Sequence, residues 1–184
     1  MKKLLFVAIF LGWSPVFAQQ PNYQNSAVNA KLPLTPEKTT ASTEALQATL
    51  YELIEQKHAV HQAHWNLRGP QFISLHELLE ELYGDLSGYI DAVAERKLAL
   101  GQPADGRPPQ AGQQANLGTI PEGFQKDHEV VASLTDRYQK ISERLGKRID
   151  SVAETDAVSQ DLLIGLRNTI DLHLWKLRSF TYNY

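Results

Sequence analysis

The sequence predicts an all-α protein, a four-helix bundle with a long crossover between the second and third helices. Three observations carry this expectation. Four stretches repeat apolar residues at intervals of three and four, the period of a helix with one buried face. No alternating apolar–polar stretch of comparable length competes with them. Between the second and third stretches, residues 101–121 hold four Gly and four Pro, which break helices and leave a long connection. With 184 residues, 42% of them hydrophobic, the chain suffices for one well-buried domain.

In chain order, Lys2 and Lys3 come first, followed by a nearly unbroken apolar run over residues 4–13. Val16-Phe17-Ala18 then places small residues where a signal peptidase reads them, so residues 1–18 are expected to be a secretory signal cut after Ala18. The run is too short for a membrane span, which needs roughly 20 apolar residues. Residues 19–41 are polar and contain Pro21, Pro33 and Pro36, the composition of a flexible arm. The domain is expected to occupy residues 42–184. Ser42 or Thr43 can cap its first helix, where Leu46, Leu50, Leu53, Ile54 and Val60 form the stripe and Gly69-Pro70 forms the stop. The second helix is predicted over 71–100, with Ile73, Leu75, Leu78, Leu79, Leu82, Leu86, Ile90, Val93 and Leu98 on its apolar side and Gly101 closing it. The third is predicted over 122–152 and the fourth over 156–180, with a short helix possible inside the connection.

Composition removes several functions. The chain has no cysteine, so disulfides, thiolate metal sites and thiol catalysis are excluded. The net charge of −3 becomes −5 when Lys2 and Lys3 leave with the signal, the opposite of a general nucleic-acid binder. A secreted or periplasmic, soluble protein is expected.

The chemistry concentrates on the second helix. His76 and Glu80 are four residues apart, and so are Asp91 and Glu95. At about 100° per residue all four fall on one side of the helix, yet His76 and Asp91 are about 22 Å apart along it. One ion cannot touch both pairs in one chain. Two antiparallel copies related by a two-fold axis near residues 85–86 bring His76 and Glu80 of one chain against the acidic pair of the other. Gly84 and Gly88 flank that axis and permit close approach, a reason for two mid-helix glycines that each cost about 1 kcal/mol. His64, at the end of the first helix, can join His76. Imidazole and carboxylate donors without thiolate suit iron, manganese or zinc. For any one of these pairs, a solvated charged face is the plainer alternative.

The run His64-Trp65-Asn66-Leu67-Arg68-Gly69-Pro70, continuing to Leu75-His76-Glu77-Leu78-Leu79-Glu80, resembles a signature of the Dps family, the miniferritins. Ile90-Asp91-Ala92-Val93-Ala94-Glu95-Arg96, with Leu100-Gly101 and Pro103, is similar to the family's second signature. Asp136-Arg137-Tyr138 and Leu174-Trp175 also match, so the likeness covers roughly residues 42–180. It implies a ferritin-like bundle and a homo-oligomeric shell of twelve subunits built from two-fold dimers. It also implies a ferroxidase site for two irons, oxidised by hydrogen peroxide or oxygen, with the ferric product stored inside. Carried over by position, His64, His76 and Glu80 come from one subunit and Asp91 and Glu95 from its partner. The family commonly has Asp where this chain has Glu80, and Trp65 matches a tryptophan beside the iron site. Larger ferritin-like proteins hold metal inside one bundle with two Glu-x-x-His motifs; here Glu55-Gln56-Lys57-His58 is the single match. Among the other histidines, His58 and His61 are surface residues or extra metal contacts, and His128 and His173 are structural or exposed. Asp150, Glu154 and Asp156 are weak candidates for lining ion pores.

Two other readings remain open at this level. The shell could bind metal without catalysis or act as a surface-interaction protein. It could also bind DNA, but the arm carries only Lys31 and Lys38 against Glu37 and no basic residue follows Arg178, too few charges to neutralise phosphates. Strong DNA binding is not expected; a gel shift at low salt should show no tight retention.

Overall fold

The computed structural model describes residues 31–181. The expected signal segment, and residues 19–30 of the expected arm, lie outside the described residues. The order is α1 Pro36–Asn66, β1 Leu67–Arg68, α2 Phe72–Ala99, α3 Pro108–Ala115, β2 Gln125–Lys126, α4 Asp127–Val152 and α5 Ala157–Arg178. The four long helices form the predicted bundle. α1 packs mainly on α2, α4 on α5, and α3 lies against α1 within the crossover. No described helix is long and apolar enough to cross a membrane.

The predicted stripes meet in the centre. Leu46, Leu50, Leu53 and Val60 of α1 are buried, as are Leu75, Leu79, Leu82, Leu86 and Val93 of α2. α4 adds Val131, Leu134, Tyr138, Ile141 and Leu145, and α5 adds Leu163, Leu166, Ile170, Leu174 and Leu177. Each full burial of such a side chain contributes roughly 1.5–3 kcal/mol against the entropy of ordering.

Two boundaries and one apolar face differ from expectation. α1 starts at Pro36, not at Ser42 or Thr43, which are buried inside it. Proline lacks an N–H and has a helical φ already, so it opens a helix without loss. The third long helix starts at Asp127 rather than residue 122, because Gln125 and Lys126 pair in parallel with Leu67 and Arg68. A two-residue ladder has no alternation to betray it. Ile73 and Leu98, assigned above to the apolar face of the second helix, are 66% and 56% exposed in the single chain.

Charged side chains tie the bundle where leucines end. Glu52 of α1 is buried and receives both Arg144 (2.9 Å) and Arg148 (2.5 and 2.8 Å) of α4. Arg137, also buried, donates to Gln56 (2.9 Å) and to the Gly118 carbonyl (2.9 Å), fastening the crossover to α1 and α4. Glu55 lies 3.6 Å from Arg137, so the lone Glu-x-x-His match is engaged in an ion pair. His173 is buried and its Nε2–H donates to Asp85 (2.9 Å). Burial lowers its pKa, against the opposing pull of Asp85. Asp156 is 3% exposed and caps α5 through the Ser159 N–H (3.0 Å) while accepting from Arg96 (2.7 Å). Burial disfavours its charge, but Ser159 and Arg96 outweigh that and its pKa is lowered. Asp156 is thus a structural cap and not an exposed pore-lining group, whereas Asp150 and Glu154 are exposed.

Candidate metal centre at the α1–α2 turn

α1 ends at Asn66, which leaves its last carbonyls without helical partners. β1, held by β2, then directs the chain into a tight turn. Gly69 has φ +147°, and a Cβ there would collide with the Asp127 carboxylate. That carboxylate accepts the N–H groups of Gln71 (3.2 Å) and His128 (2.8 Å), so the first residue of α4 clasps the turn that launches α2. Arg68 lies over the Phe124 ring at 3.1 Å and closes the same corner by a cation–π contact.

The turn brings His64 and His76 together. Their rings stack at 3.7 Å between centroids, 17° from parallel. Nδ1 of His64 donates to the His76 carbonyl (3.0 Å), and Nδ1 of His76 donates to the His64 carbonyl (3.1 Å). A carbonyl can only accept, so each imidazole carries its proton on Nδ1. In the neutral imidazole this tautomer keeps a lone pair on Nε2, the form that binds a metal ion. His64 is 9% exposed. Phe72 stacks on His76 (5.0 Å) and Tyr83 meets His64 edge-on (5.4 Å). The hydrogen bonds and aromatic walls fix both rings in position.

The carboxylates stand differently. Glu80, Asp91 and Glu95 are exposed on α2 and make no hydrogen bond or ion pair among the described residues. α2 is one continuous helix from Phe72 to Ala99. The spacing of about 22 Å from His76 to Asp91 therefore holds, and the chain does not bring its own acidic pair to its histidines. Among the described residues, no three His, Asp or Glu side chains converge on a metal position. The missing ligands must come from another molecule if the site is to close. Gly84 and Gly88 are exposed, and nothing lies within 4 Å of a Cβ built on either. Intramolecular packing does not explain these glycines, whereas a second helix laid against α2 does.

Trp65, Ile73 and Phe124 surround this corner and are each about two-thirds exposed, with Phe72 at 37%. Trp65 is thus not part of the subunit core. An apolar surface of this kind beside the two histidines suits an interaction face. His61 is half-buried and packs on Tyr83 (3.9 Å) and Trp65 (5.0 Å). Burial, followed by the nearby positive Lys57, lowers its pKa. His58 and His128 are exposed. Sequence reasoning missed Tyr83, Phe72 and Asp127. Tyr83, seven residues after His76, carries a helical-spacing signal; Asp127 carries none.

Comparison with known proteins agrees with this architecture. A family model for the ferritin-like domain matches residues 43–183. DNA protection during starvation protein 2 of Deinococcus radiodurans is 36% identical over 142 residues, covering 77% of this chain. The chain spans 59% of that relative's length. The DNA protection during starvation protein of Agrobacterium fabrum is 33% identical over 135 residues, 73% of this chain and 83% of that protein. Among solved structures, Dps92 from Deinococcus radiodurans superposes with a TM-score of 0.78 at 35% identity, over 80% of this chain and 90% of that one. Dps from Microbacterium arborescens in the high iron form gives 0.78 at 29% identity, over 82% and 99%. With the bundle, the crossover and both signature segments in place, the chain belongs to the Dps family of ferritin-like proteins.

Proposed function

We propose that the protein oxidises Fe(II) at sites shared between two-fold-related subunits and keeps the ferric product as mineral inside a twelve-subunit shell. One observation carries the reading: the reciprocal bonds between His64 and His76 use both Nδ1 atoms and leave both Nε2 atoms without a partner among the described residues, on a chain whose acidic pair Asp91 and Glu95 is also unpartnered there and too far along α2 to reach them. In the assembled pair, His64, His76 and Glu80 face Asp91 and Glu95 of the second copy. Imidazole captures the ferrous ion and carboxylate oxygens favour the ferric ion, so this donor set pulls iron towards oxidation. With hydrogen peroxide the balance closes simply. Two Fe(II) give one electron each, the O–O bond breaks, and two protons complete two waters. Ferrous iron and peroxide are removed together, without release of hydroxyl radical. Twelve chains of negative net charge attract cations. The leader-like segment supports a role in a periplasm or outside the cell, and the scarcity of basic residues in the arm supports a role without DNA contact.

The test adds Fe(II) and then peroxide to the assembled protein and follows the ferric absorption band. The expected result is oxidation well above the rate in buffer, with iron retained in the shell on gel filtration. A rate equal to buffer, with metal bound all the same, would leave a non-catalytic metal-binding shell in place of a ferroxidase.

A further inference from the structure

His61 lies three residues before His64 on α1, where residues three apart share a face and stand about 5–6 Å apart at Cβ. α1 and α2 run antiparallel, and two ring contacts fix how they match. His64 meets His76 at 3.7 Å, and His61 meets Tyr83 at 3.9 Å. Glu80 lies between His76 and Tyr83 in α2. The step from His64 back to His61 on one helix therefore spans the stretch of the other that carries Glu80. His61 is half-buried, held by Tyr83 and Trp65, and neither of its ring nitrogens has a hydrogen-bond partner among the described residues. The imidazole is positioned by stacking alone, and both its nitrogens are unused.

We propose that His61 is a third imidazole ligand of the shared site, taking an ion together with Glu80 beside the His64–His76 pair. The inference rests on the shared-site reading and extends it. An ion on the Glu80 side would then meet nitrogen as well as oxygen. Imidazole raises affinity for ferrous iron and for similar divalent ions such as Co(II) and Zn(II), more than a further carboxylate would. Tyr83 backs the His61 ring and also touches His64 edge-on, so one side chain aligns two of the three imidazoles.

Co(II) is the probe, titrated into the assembled full chain and read by visible absorption and calorimetry, with no turnover required. The wild type should take about two ions per subunit, as in other two-metal sites. His61→Phe keeps a ring against Tyr83 and Trp65 but removes both nitrogens. It should weaken one of the two binding steps by about tenfold or more and leave helicity and assembly unchanged. His61→Gln, smaller and polar, is the second variant and should behave alike. His76→Ala is the reference for the site itself. If both His61 variants titrate as wild type while His76→Ala loses binding, His61 is not a ligand and the shared site stands. If His76→Ala also titrates as wild type, the shared site itself falls, and His61 with it.

Discussion

A His76→Ala protein and an Asp91→Ala protein should each lose fast ferrous oxidation by at least roughly tenfold, and should recover part of it when unfolded together and reassembled as a mixture. The recovery follows from symmetry. In the proposed two-fold pair each site takes histidines from one chain and acids from the other. When the variants pair with each other, one site combines an intact histidine half with an intact acidic half, and the other site is broken on both sides. Random pairing makes half of the dimers mixed, so about a quarter of all sites are restored. If each chain held its whole site, mixing would restore nothing. The measurement is the initial rate of the ferric absorption rise, with mass spectrometry confirming mixed assemblies. No recovery in proven mixtures would refute the division of ligands, as would a lone folded protomer that oxidises iron at the full rate.

The second large effect is expected in the subunit itself. Glu52→Ala should destabilise the fold by about 3–5 kcal/mol, since it leaves two guanidinium groups near the bundle interior without their counter-charge. Arg148 is 15% exposed and Arg144 30%, so Arg148 should account for most of the loss. The urea midpoint of the dissociated subunit measures it. Replacing Glu52 and Arg148 together by leucine and methionine should recover most of the stability, because an apolar pair of similar volume avoids the desolvation of both charges. A loss below about 1 kcal/mol for Glu52→Ala would show that the cluster is as weakly coupled as a surface pair.

The helices were legible because burial is periodic. Leu75, Leu79, Leu82, Leu86 and Val93 repeat at helical spacing and all five are buried. Ile73 and Leu98 repeat as well but are exposed, since periodicity reports an apolar side without saying which neighbour covers it. Gly101 was readable as a stop and has φ +78° after α2. The β1–β2 ladder was not readable, because two residues leave no pattern and their partners are far apart in sequence. The burial of Asp156 was hidden for the same reason: Arg96 lies 60 residues away. At the candidate site, spacing alone separated the histidine pair from the acidic pair. The orientation of the two rings was out of reach, because it depends on main-chain carbonyls that every residue possesses and only the fold can aim.

The mutual hold of His64 and His76 also sets an order of events. Their rings are aligned by their own chain's backbone, so this pair is set when a subunit finishes folding. In the proposed site the acidic part would arrive only on association. Under the proposed shared site, a newly made subunit would be idle towards ferrous iron while solitary, and would acquire its chemistry at the moment a compartment for the product is being built. Ferric precipitate would then form where it can be enclosed, and an orphan subunit would do no harm.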